Sequence, residues 1–109
     1  LSKTLNDWDD DHAARVLRRI RSAIPEGGRV ILLEMVATEG EPSAEQALRD
    51  LMLLVCTTGK TRTEAEFRAL LGAAGFSLSR VIATAAPYRV AGMFPIPSGF
   101  KILEAMPAA

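Results

Sequence analysis

The sequence has little of what builds metal and redox centres. Among 109 residues there is one cysteine, Cys56, and one histidine, His12. A lone cysteine excludes an internal disulfide and a zinc quartet, and it fits a reducing compartment, so a cytoplasmic location is expected. A lone histidine excludes a His-rich metal site within this chain. No charge of one sign dominates, because 13 Lys+Arg meet 13 Asp+Glu. A balanced chain has no global field for gripping phosphate backbones, which excludes nucleic acid as an expected partner. Long apolar runs are absent too. Val30-Ile31-Leu32-Leu33 stops at Glu34, and nothing approaches the roughly 18–20 residues that span a bilayer, so no membrane partner is expected. There is no Gly-x-Gly-x-x-Gly, no Gly-x-x-x-x-Gly-Lys-Ser/Thr and no Gly-x-Ser-x-Gly, the loops that cradle phosphates or present a nucleophilic serine. The chain opens on Leu1 rather than Met, in what reads as a strand already under way. The expectation is a piece of a longer protein.

Hydrophobic residues, at 49%, are ample for a packed core. Leu1 to Leu5, with apolar ends and polar residues between, reads as a half-buried strand. The acidic run Asp7 to Asp11 then suits a helix N-terminus, where unpaired N–H groups and the dipole favour negative charge. Ala13, Val16, Leu17, Ile20 and Ile24 recur at helical spacing, with Arg15, Arg18, Arg19 and Arg21 on the other faces. Pro25-Glu26-Gly27-Gly28 stops that helix. Arg29 to Met35 contains a continuous apolar run, Val30 to Leu33, as in a strand covered on both faces. Ser43-Ala44-Glu45-Gln46 and Thr63-Glu64-Ala65-Glu66 both match the capping box. The first opens a helix through Leu48, Leu51, Met52, Leu54 and Val55, ending at Thr57-Thr58-Gly59-Lys60. The second opens one with Phe67, Leu70, Leu71 and Ala74 on one face, closed by Gly75. Ser77 to Thr84 reads as a strand, Ala85 to Pro97 as irregular, and Gly99 to Met106 as a last strand antiparallel to the one before. The order is β–α–β–α–α–β–β, an α/β pattern with right-handed crossovers. The sheet is expected to be mostly parallel with a terminal antiparallel hairpin. The open side of its first strand lacks neighbours, which again suggests a missing N-terminal part.

Most single residues have ordinary readings. Gly27-Gly28 follows a helix and precedes a strand, the wrong order for a phosphate cradle, so it is a turn. The arginines of the first helix read as a solvated face that could bind an anion. His12 reads as a surface residue, and Cys56 as a small packing or pocket-lining residue. Glu34 is more informative. A carboxylate at the end of a buried strand costs several kcal/mol if unpaired, roughly in the range of other buried charges, and ligands gather beyond the carboxyl ends of such strands. It is either a paired core residue or a functional one. Trp8, also beyond a strand end, either stacks on a planar ligand or closes the helix start against the core.

Several segments together resemble the S-adenosylmethionine-dependent O-methyltransferases of the caffeic acid and hydroxyindole type. They are Leu5-Asn6-Asp7-Trp8-Asp9-Asp10, Arg18-Arg19-Ile20, Ile24-Pro25-Glu26-Gly27-Gly28-Arg29-Val30 with Glu34, and Asp50-Leu51-Met52-Leu53-Leu54-Val55. The likeness continues through Gly59-Lys60-Thr61-Arg62-Thr63-Glu64-Ala65-Glu66-Phe67 and Leu71-Gly72-Ala73-Ala74-Gly75-Phe76. The resemblance implies the C-terminal part of a Rossmann-like catalytic domain, with the helical dimerisation domain and the Gly-rich cofactor loop outside this chain. A homodimer through that absent domain is implied, with S-adenosylmethionine as cofactor and a small aromatic substrate. By position, Asn6 and Glu34 would be catalytic, Ser2 and Trp8 would border the cofactor, and Met52, Leu53, Cys56 and Thr57 would line the acceptor pocket. Two catalytic positions and one cofactor-side position depart from the family pattern. Its general-base histidine is replaced by Asn6, and its third acidic residue by Thr61; Ser2 stands where a lysine is common. The implied reaction is methyl transfer to oxygen or a ring nitrogen by positioning rather than by a histidine base, in specialised metabolism such as antibiotic biosynthesis. The alternatives are an altered tailoring reaction, hydroxylation or decarboxylation, and a non-enzymatic methyltransferase-like module.

Overall fold

The computed structural model describes residues 1–84, 88–89, 95–96 and 100–108. A 3-10 turn, Leu5–Asp7, leads into helix α1, Asp10–Ala23. The Asp9 carboxylate caps α1 by accepting from the His12 amide, and Asp10 and Asp11 add negative charge to its first turn. Pro25 cannot extend the helix, and Gly27, at a positive φ of 79°, turns the chain into strand β1, Val30–Ala37. Helix α2, Ala44–Cys56, begins at Ser43, whose hydroxyl accepts from the Gln46 amide. The short strand β2, Arg62–Thr63, runs into α3, Glu64–Ala73, with Thr63 as its cap. Strand β3, Phe76–Ala83, follows Gly75. The two-residue strands β4, Tyr88–Arg89, and β5, Pro95–Ile96, pair antiparallel; the rest of the segment expected to be irregular lies outside the described residues. Strand β6, Phe100–Pro107, ends the fold.

The sheet order is β2-β1-β6-β3. β6 lies antiparallel between β1 and β3, with Val30 opposite Ala105 and Leu78 opposite Ala105 on its other side. The terminal antiparallel pair is therefore present, but the sheet is mixed rather than mostly parallel. The physical reason is insertion. β1 and β3 both run antiparallel to β6, so the last strand takes the gap between them and satisfies the ladder groups of both. β2 keeps the parallel register on β1, Val36 to Arg62.

The first expected strand, Leu1 to Leu5, is also shorter than expected. Leu1 to Lys3 does lie parallel on β1: the Leu1 amine donates to Ile31 O, Leu33 N–H to Leu1 O, and Lys3 N–H to Leu33 O. Lys3 then takes a left-handed backbone, φ 50°. The next amides, of Thr4 and Leu5, turn away from the ladder to the Glu34 carboxylate. A side chain on β1 thus ends its neighbour.

One face of the sheet is covered by α1 and α3. Leu5, Ala13 and Leu17 meet Phe67, Leu70 and Leu71 over Val30, Leu32, Val36, Leu78, Leu103 and Ala105. Burial of these side chains is the main stabilising term, about 1.5–3 kcal/mol for each large one. Residues on the opposite face, Ile31, Leu33, Ile82 and Met106, are exposed. β1 is therefore not covered on both sides as its continuous apolar run implied. On that exposed face Glu104 is clamped by Arg29 and Arg80. An irregularity at Ser79 puts Arg80 there: Leu78 pairs with Ala105 and Arg80 with Glu104, so Ser79 is the extra residue. Without it, Arg80 would point into the helix-covered core. Helix α2 buries Leu53, whereas Leu48, Leu51, Met52, Leu54 and Val55 are all more than half exposed. Among the described residues, no helix is long and apolar enough to cross a membrane.

Candidate active site

The carboxyl half of β1, the 3-10 turn and the loop before β2 meet at one place. Glu34 is fully buried there, on the helix-covered face. Its Oε1 accepts from the amides of Thr4 and Leu5, both at 3.0 Å. Its Oε2 is buried with no hydrogen-bond partner among the described residues. Burial pushes the Glu34 carboxyl above the usual glutamate range, and the two amide bonds oppose this only in part. Glu34 thus grips the backbone that carries Asn6.

The opposite side of the turn is held by Arg62. Its side chain is completely buried and donates from Nη1 to Leu5 O at 2.8 Å and from Nη2 to Trp8 O at 2.9 Å. Nε and Nη2 both reach Asp10 Oδ1, at 3.0 and 2.9 Å. Gly59 packs against the same turn so closely that a Cβ there would collide with the Asn6 carbonyl. Thr57 connects this loop to α2: its hydroxyl donates to Leu53 O and accepts from the Gly59 amide. The turn is therefore fixed by a carboxylate on its amides, a guanidinium on its carbonyls and a glycine against its backbone.

Asn6 sits on this scaffold with its Oδ1 buried and unpartnered; so are Thr61 Oγ1 and Asp50 Oδ1. Three of these four unsatisfied buried atoms belong to Asn6, Glu34 and Thr61, the positions that the resemblance marks as catalytic in the family. An unsatisfied buried polar atom costs about 1–3 kcal/mol, so this is where the described part of the fold forgoes stability.

The remaining expected site residues are less concentrated. Ser2 is exposed and bridges to Leu33 beside the turn. Trp8 is 43% exposed, its ring 5.7 Å from that of His12. The two border a groove of about 260 Å³ with Arg15, Val16 and Arg19. Leu53 is buried and Thr57 is tied to the Gly59 loop, whereas Met52 and Cys56, one helical turn apart, are exposed. The first helix's arginines thus do more than solvate: Arg15 and Arg19 line the groove, and Arg21 Nε donates to Gly75 O. Sequence reasoning missed Arg62 and Gly59. Arg-Thr and Gly-Lys were visible as motif letters, but an arginine reads as exposed by default.

Similarity to known proteins decides the family. Residues 1–77 match the O-methyltransferase domain. The chain belongs to this O-methyltransferase family. It is 38% identical over 107 residues to the phenazine O-methyltransferase PhzM of Lysobacter antibioticus, covering 98% of this chain and 28% of that one. It is 40% identical over 89 residues to the acetylserotonin O-methyltransferase of Mus musculus, covering 81% of this chain and 23% of the other. Its fold matches that of NcsB1, an O-methyltransferase from neocarzinostatin biosynthesis solved with S-adenosylmethionine and 2-hydroxy-5-methyl naphthoic acid. That match has a TM-score of 0.74 at 32% identity, over 98% of this chain and 27% of that one. The chain thus spans about a quarter of the length of these family members. The α/β fold and the family agree with the reading of the motifs.

Proposed function

We propose that this chain forms the acceptor-side wall of an S-adenosylmethionine-dependent methyltransferase acting on an oxygen or ring nitrogen of a small aromatic molecule. The reading includes a cytoplasmic homodimer, assembled through the family's helical domain. The observation that carries it is the turn of Asn6: a backbone clamped on both sides, presenting an amide whose oxygen has no partner among the described residues. Such an amide suits a substrate group.

When bound, the cofactor supplies a methyl group already activated on a sulfonium. Trp8 offers an exposed indole face beside the turn, which fits a planar purine; Ser2 borders the same end. The rest of the work falls to positioning. Asn6 cannot take a proton at neutral pH. It can donate Nδ2–H to an oxygen that is already anionic, or accept through Oδ1. Glu34 holds the turn through Oε1 and keeps Oε2 for the catalytic role the resemblance implies, and Thr61 offers a hydroxyl where the family pattern has an acid. Leu53 and Thr57 brace the loop behind Asn6, while Met52 and Cys56 present an adaptable surface for a flat acceptor. The substrate class that follows is acidic phenols, aromatic carboxylates and ring nitrogens.

The test uses the full-length polypeptide. Calorimetry is expected to show binding of S-adenosylmethionine and its demethylated product. Turnover across phenols of graded acidity is expected to follow the ionised fraction of the acceptor. Equal rates on neutral and acidic phenols would mean that a base is present and the positioning reading is wrong. Asn6→His sharpens this: it is expected to raise activity on neutral phenols. The two departures, Asn6 and Thr61, also support a second reading, a relative with altered or lost chemistry. Oxygen uptake without a methylated product, or no affinity for the cofactor, would select it.

A further inference from the structure

We propose that Arg62 is a positioning residue for methyl transfer, acting on the acceptor through Asn6. This rests on the reading that Asn6 meets the acceptor. The arginine is among the largest fully buried side chains of the described residues, and its Nε, Nη1 and Nη2 are each committed to a protein oxygen. Two of those oxygens are the carbonyls of Leu5 and Trp8, which flank Asn6 and Asp7. The third is the Asp10 carboxylate at the start of α1. One planar fork therefore sets the distance between the turn and the helix that follows it. Placing Asn6 requires that distance, because Asn6 and Asp7 are the only residues between the Glu34-bound amide of Leu5 and the Arg62-bound carbonyl of Trp8.

Asp10 alone does not explain the burial. Asp10 is largely exposed and shares its other oxygen with Lys60 at 3.7 Å. A surface ion pair of that kind needs no buried guanidinium. The two carbonyl contacts do, since they lie in a fixed plane that an ammonium cannot reproduce. Gly59 supports the same assignment from the other side, as its bare backbone against the Asn6 carbonyl leaves the turn no room to relax.

The experiment compares Arg62→Lys, Gly59→Ala, Asn6→Ala and the double variant Asn6→Ala/Arg62→Lys in the full-length polypeptide. The readouts are kcat, acceptor KM, cofactor affinity by calorimetry and the folded fraction. Misplacement of a reacting group by about 1 Å costs on the order of 100-fold in rate. Arg62→Lys is expected to lower kcat on that order at saturating cofactor, any shift of Trp8 being read separately in the cofactor affinity. Gly59→Ala, which leaves Arg62 intact, is expected to lower kcat in the same way. The double variant is expected to lose no more than Asn6→Ala alone, because both act on one step. Additive losses, or a kcat that falls only with the folded fraction, overturn the proposal. The two readings fail separately. Full turnover in Asn6→Ala removes the role of Asn6, whereas collapsed turnover there beside full kcat in Arg62→Lys removes the role of Arg62 alone.

Discussion

Two carboxylates sit on opposite faces of the same sheet and are treated in opposite ways. Glu34, on β1, faces the helix-covered side and has amides for partners. Glu104, on β6, faces the exposed side between two arginines: Arg29 Nη1 reaches Oε1 at 2.7 Å, and Arg80 Nε and Nη2 reach Oε2 at 3.0 and 2.9 Å. Burial pushes the Glu34 carboxyl up. The Arg80 hydrogen bonds, with help from Arg29, hold the Glu104 carboxyl below its ordinary range. Glu104 has every oxygen matched by a cation, whereas Glu34 keeps one oxygen unmatched. On the proposed reading, the difference separates a carboxylate that ties strands together from one kept for a site. Glu104 resembles a cross-strand pair of ordinary kind. Glu34 sits where a stability-optimised core would place an aliphatic residue, which makes it a candidate for the proposed site.

The largest expected effect breaks the Glu34 side of this contrast. Glu34→Ala leaves the Thr4 and Leu5 amides without acceptors in the interior. Each orphaned donor costs about 1–3 kcal/mol, so a loss of roughly 2–6 kcal/mol is expected by denaturant unfolding of the full-length polypeptide, together with release of the Asn6 turn. Glu104→Ala is expected to cost well under that, since Arg29 and Arg80 are both more than half exposed and return to water. Equal losses would erase the distinction.

Next in size is the charge itself. Glu34→Gln keeps an oxygen for both amides and removes the buried charge. A carboxyl whose folded pKa is raised binds more protons in the native state than in the unfolded one. Stability therefore falls as pH rises from the usual glutamate range toward the folded pKa, and the loss persists above it. Glu34→Gln is accordingly expected to be more stable than the parent at pH 7, with the gain fading in acid where Glu34 is already protonated. Thermal unfolding at pH 4 and pH 7 checks it. A variant less stable at pH 7 would show that the glutamate charge is matched by a group the amides alone do not supply.

Much of this contrast was legible in the sequence, though unevenly. Both capping boxes, the α1 stripe through Leu17 and the end of α1 at Pro25 follow local rules and were readable residue by residue. Glu34 was readable as out of place because charge interrupts an apolar run. Strand order was not readable, since no local pattern tells β6 to enter between β1 and β3 rather than cap an edge. Nor was the shortening of the first strand, which depends on Glu34 reaching 29 residues back to the Leu5 amide. Arg62 was invisible for the same reason. Its partners Leu5 and Trp8 are 57 and 54 residues away, and composition carries no trace of such a pairing. The apolar residues of α2 mark a helix but not what surrounds it: Leu48, Leu51, Leu54 and Val55 face outward.

The smallest expected effect sharpens the Glu104 side, and its sign is opposite. A carboxyl whose folded pKa is lowered sheds its proton more readily in the native state. The stability it contributes is present above the ordinary glutamate pKa and is lost as pH falls through the folded value. Glu104→Gln is expected to weaken the protein slightly at neutral pH and to flatten its acid limb, so that parent and variant converge in acid. Salt discriminates further. Arg29 and Arg80 reach Glu104 from solvent, so moderate salt is expected to shrink the neutral-pH difference. The Glu34→Gln gain arises from burial and is expected to survive it. Because the same buffer series reads both variants, a Glu104→Gln curve that parallels Glu34→Gln would mean that the two faces of the sheet present one electrostatic environment, and the separation of site from scaffold would have to rest on Asn6 and Arg62 alone.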